Sequence, residues 1–122
     1  MAVTYPLFVF EKDCQSLQII EDPGRIGILE AIDIVNGEYV FWDAIGNGVS
    51  VGASVTTFTS KIGDVTSCDS PFPLRDAFTL YAKTLGWHDF DVDGTPSEVW
   101  GRIQKGIDAR PKKKSFLSRL FR

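Results

Sequence analysis

Apolar positions along the chain change their period near residue 73. Ahead of that point they cluster in short aromatic and β-branched runs broken by turn residues. Residues 5–10 form one such run, closed by Lys12-Asp13-Cys14-Gln15-Ser16, and 17–21 form its partner, stopped by Asp22-Pro23-Gly24. Two Asn-Gly pairs follow. Asn36-Gly37 separates 31–35 from 38–43, and Asn47-Gly48 separates the latter from 49–55. Asn-Gly between strand-forming segments favours a type I′ hairpin, because both central residues need positive φ. The pattern therefore predicts a three-stranded meander over 31–55. Val55, Phe58, Ile62 and Val65 have helical spacing, but the threonines at 56, 57 and 59 favour a further strand over 56–68.

Beyond residue 73 the period becomes helical. Leu74, Ala77, Phe78, Tyr81, Ala82 and Leu85 line one helix face, and Gly86 supplies the stop. Thr95-Pro96-Ser97-Glu98 is a capping box with proline at the first helical position. Val99, Trp100, Ile103 and Ile107 give that helix its apolar stripe, and Pro111 ends it. Strands first and helices second predict an α+β fold: an antiparallel sheet of about five strands followed by two helices packed on one face. The expected organisation is one domain over 1–109 and a separate tail over 110–122.

Composition agrees with a packed body: 43% hydrophobic and 12% aromatic residues in a 122-residue chain. No apolar run approaches the roughly 20 residues of a membrane span. Residues 1–10 lack a basic segment and are interrupted by Pro6, so a cytoplasmic protein with reduced Cys14 and Cys68 is expected, one able to meet the inner face of the membrane.

Charge changes the picture most. All sixteen acids precede residue 110, where seven bases oppose them for a net of −9, and the six bases of the tail bring the chain to −3. With 100° per residue, Phe116, Leu117, Leu120 and Phe121 fall within a sector of about 140°. Arg119 and Arg122 lie opposite, and Lys112, Lys113 and Lys114 stand at the start. An eleven-residue peptide is too short for a stable helix in water and would fold on an apolar surface. Each base near an anionic leaflet contributes roughly 1 kcal/mol, and ordering each residue costs roughly 1–2 kcal/mol. One tail is marginal, so firm attachment needs a dimer or a second contact.

The segment Lys113-Lys114-Ser115-Phe116-Leu117-Ser118-Arg119-Leu120-Phe121 resembles the membrane-targeting tail of MinD-type cell-division ATPases, which pairs lysines with a Phe-Leu-x-Arg-Leu-Phe core. The resemblance covers about a tenth of the chain. It implies a membrane-binding mode and no ATPase activity, because the body has no Gly-x-x-x-x-Gly-Lys-[Ser/Thr] loop. A solvated terminus that only aids solubility is the plain alternative.

Other chemistry is sparser. Glu30, Asp33, Glu38 and Asp43 surround Tyr39, Phe41 and Trp42, and alternation sends Phe41 and Trp42 to opposite faces. If one face is open, an aromatic ringed by carboxylates would suit a basic protein partner, as in an immunity-type protein that covers a toxin. Asp89, Asp91, Asp93 and Gly94 match positions 1, 3, 5 and 6 of a calcium loop, but position 12 is Trp100 rather than a bidentate Glu. His88 beside Asp89 lacks the rest of a catalytic constellation. Gly46-Asn47-Gly48 precedes a strand, where no helix N-terminus can receive a phosphate. The expectation is a non-enzymatic binding protein without cofactor, peripherally membrane-associated, that does not bind nucleic acid because a −9 body repels its backbone.

Overall fold

The computed structural model describes residues 3–109. Five antiparallel strands form one sheet in the order β2-β1-β3-β4-β5: β1 Leu7–Glu11, β2 Ser16–Ile20, β3 Tyr39–Trp42, β4 Gly48–Val55 and β5 Ser60–Ser67. Helices α2 (Leu74–Thr84) and α3 (Pro96–Asp108) follow, so the fold is α+β. The tail residues 112–122 lie outside the described residues.

Strand β1 is second in this order and paired on both edges. It pairs with β2 on one side and β3 on the other. Its alternate side chains feed two cores. Phe8 and Phe10, with Leu17, Val40 and Trp42, pack under Leu74, Ala77 and Phe78 of α2 and Val99 and Ile103 of α3. Phe8 meets Phe78 and Trp100 edge-on at 5.5 and 6.1 Å. Leu7 and Val9, with Ile20, Phe41, Val49 and Val51, face the other way and are covered by Leu29 and Ile34.

That second cover corrects the expected topology. Ala31–Val35 is a short helix, α1, preceded by a 3-10 helix over Pro23–Ile28, and neither is a strand. Asn36-Gly37 ends α1 instead of turning a hairpin. Gly37 has φ of 72°, its amide donates to Ile34 O, and the Glu38 amide donates to Asp33 O. This pairing is a Schellman motif, which exploits the same tolerance of positive φ as a type I′ turn. The meander therefore runs through β3, β4 and β5.

Its first turn also differs. Gly46, with φ of 93°, provides the positive φ, whereas Gly48 already belongs to β4. A Cβ on Gly48 would stand 2.5 Å from Cys68 O, so glycine there permits close approach of the loop that follows β5. The expected helices stand as predicted. Gly86 (φ 88°) closes α2 with Trp87 N donating to Ala82 O, and Thr95 and Glu98 complete the capping box of α3.

Candidate functional site

The acidic candidates divide by burial. Trp42 is 0% exposed, its indole Nε1 donating to Phe72 O at 3.2 Å while its ring meets Phe72 edge-on at 5.4 Å. Asp43 is 3% exposed, and its Oδ1 accepts from the amides of Ile45 and Asn47 at 3.1 and 3.0 Å. Both serve the interior and the β3–β4 turn. The expected exposed aromatic at residue 42 is thereby corrected: helices cover both faces of the sheet, so Phe41 and Trp42 are each buried.

Glu30, Asp33 and Glu38 stay near the surface around α1. Between them Ile32 and Val35, three residues apart on α1, are 46% and 51% exposed, and Ile28 at the end of the 3-10 helix is 61% exposed. Asp13, from the β1–β2 turn, stands beside Glu38 and holds its carboxyl above the usual carboxylate value, with Asp33 adding to the repulsion. Burial and Asp33 likewise raise the Tyr39 phenol. Such a surface concentrates negative potential and has the chemistry to receive a basic residue carried on an apolar patch.

The acids of 89–93 do not converge. Asp91 Oδ1 accepts from Asp93 N at 2.9 Å and its Oδ2 lies 3.8 Å from Arg102, while Asp93 Oδ1 pairs with Arg75 at 3.3 Å. Asp89 is exposed. Among the described residues, no three His, Cys, Asp or Glu side chains are grouped to hold a metal ion. The partners of Asp91 and Asp93 are thus arginines, and Arg102 also donates to Asp91 O at 2.9 Å. His88 is exposed next to Trp87, which stacks on Phe90.

Gly46-Asn47-Gly48 lines an open cavity of about 620 Å³ with Cys68, Asp69 and Ser70. It is a wall between two strand ends, with no helix N-terminus in it. Cys14 and Cys68 are both free thiols.

One exposed group was not singled out by the sequence pattern. Phe58 is 94% exposed at the β4–β5 turn, the highest value among the exposed large hydrophobics of the described residues. An aromatic set among threonines between two strand-like segments was the available signal. In the sequence Phe58 counts only for its spacing with Ile62 and Val65 and falls in an expected strand over 56–68, whereas it lies in the turn between β4 and β5.

Among the described residues no helix is long and apolar enough to cross a membrane. No protein-family description, curated protein or solved structure matches the chain.

Proposed function

We propose that the protein is a non-enzymatic binding protein that attaches peripherally to an anionic membrane through residues 112–122. The observation that carries this reading is the charge partition: a body of −9 joined to a tail with six bases, no acid and four large apolar residues in one sector. Solubility would explain the bases. It would not explain Phe116, Leu117, Leu120 and Phe121 at helical spacing, because exposing four such side chains lowers solubility.

Lys112, Lys113, Lys114, Arg119 and Arg122 contact lipid phosphates, and the apolar four enter the headgroup boundary. The acidic body is repelled by the same leaflet and stays in water. Attachment by one tail is weak and reversible.

Co-sedimentation with vesicles tests this. The full chain should pellet with phosphatidylglycerol vesicles and much less with phosphatidylcholine alone. Binding should fall steeply between about 0.1 M and 1 M salt, as the screening length drops from about 10 to 3 Å. A chain ending at residue 110 should remain in the supernatant; equal pelleting of both chains would sink the proposal.

A further inference from the structure

A marginal tail calls for a second contact, and the β4–β5 arm has the chemistry of one. Its loop joins Val55 to Ser60, which pair directly across the ladder. Every residue from 54 to 61 is exposed. Phe58 stands at the tip with Val55 (41% exposed) beneath it. Aromatic side chains at such tips cost solubility unless a surface receives them.

The loop is built to enter a poorly hydrated layer. The Thr56 amide donates to Thr59 O at 2.7 Å. Thr56 Oγ1 accepts from the amides of Phe58 and Thr59 at 3.3 and 3.0 Å and shares a hydrogen bond with Thr59 Oγ1 at 2.8 Å. The amides of Thr56, Phe58 and Thr59 thus need no water, and an unpaired backbone group in hydrocarbon is costly.

Charge points to the same occupant. No acid occurs between Asp43 and Asp64, although the body carries sixteen, and the one ionisable side chain in that interval is Lys61. It lies on β5 next to the tip, facing Ser54 across the ladder. The 3-10 helix shares this side of the molecule: a cavity of about 480 Å³ brings Ile26 and Leu29 against Ser60 and Ile62. Glu30, on the rim of that cavity, limits how deeply the arm can sink.

We propose that the β4–β5 arm is a second membrane-contact element, inserting Phe58 and Val55 into the headgroup–acyl boundary of an anionic leaflet while Lys61 meets lipid phosphate. It rests on the tail reading for its need and on the arm's own geometry for its chemistry. Two weak contacts carried by one chain act at high effective concentration, which turns marginal binding into stable binding.

The test uses full-length protein with vesicles of equal parts phosphatidylcholine and phosphatidylglycerol. Phe58→Ser should weaken partitioning roughly three- to tenfold, the loss expected for one aromatic at an interface. Phe58→Trp should restore it, with emission quenched by brominated lipid. Circular dichroism should be unchanged, since Phe58 packs on nothing. In parallel, Phe116→Ser/Phe121→Ser disables the tail. If Phe58→Ser partitions like wild type while the tail variant is lost, the arm proposal is overturned and the tail reading stands. Binding lost with Phe58→Ser and kept by the tail variant would support the arm and overturn the tail. Absence of wild-type binding overturns both.

Discussion

Glu38 sits where three acids from different parts of the chain meet. Asp13 comes from the β1–β2 turn and Asp33 from α1, and together with partial desolvation they raise the Glu38 carboxyl in the folded protein. Folding therefore opposes its deprotonation. The penalty is absent below the unfolded carboxylate range, where both states are protonated, and it grows as pH rises through that range to the folded value. Glu38→Gln should thus be more stable than wild type at neutral pH, and the difference should vanish near about pH 3. Thermal midpoints at the two pH values check this. Glu98 has the opposite sign, because the Thr95 amide lowers its carboxyl, so its contribution holds at neutral pH and is lost on acidification through that lowered value.

The β3–β4 connection shows how a buried acid can organise an element. Asp43 Oδ1 satisfies two loop amides, Asp43 N donates to Asn47 O, and Gly46 N donates to Asp43 O. Asp43→Ala leaves two amides without their acceptor and should cost about 1–3 kcal/mol, with Asp43→Asn costing less because one oxygen remains. Urea denaturation measures both; an alanine variant as stable as wild type would mean that water replaces the carboxylate. At this scale the legibility of the sequence varied with length. Helices α2 and α3 were readable because eleven and thirteen residues show the 3.6 period and α3 carries a capping box. Helix α1 has five residues, too few for a period, and its Asn-Gly stop uses the backbone conformation a hairpin would use. Misreading it hid the cover on the second face. That in turn made Trp42 and Asp43 look like surface groups. Glu30, Asp33 and Glu38 do lie near the surface, as most charged side chains do, with Asp43 the exception. Phe58 was missed because the expected strand over 56–68 enclosed it, and only the fold shows that nothing covers it.

At the scale of the whole molecule, the two layers of helix are unequal in reach. Helices α2 and α3 pack over β1, β2 and β3, while α1 packs against β4 and β5 from the opposite face. At the outer end of the β4–β5 arm every residue from 54 to 61 is exposed, and charge follows the same division. Acids gather on the turns, on α1 and around the start of α3; the arm from 44 to 63 has none, and the tail has none. The acid-free regions are the ones proposed to meet lipid, and repulsion from an anionic leaflet would keep the acidic remainder of the body in water.

The β3–β4 join is narrow, with two paired positions: Phe41 faces Val49 and Trp42 faces Gly48. By contrast β1 is matched along its full length to β2 and along four residues to β3. So short a seam predicts two cooperative units that open separately. Deuterium should therefore replace amide protons first near Val55 and Ser60, next in the rest of β4 and β5, and last in β1. Equal protection across all five strands would mean one indivisible unit. If the order holds, the arm could change its tilt on a surface at little expense to the slab beneath α2 and α3, as a foot adapts to ground without bending the leg.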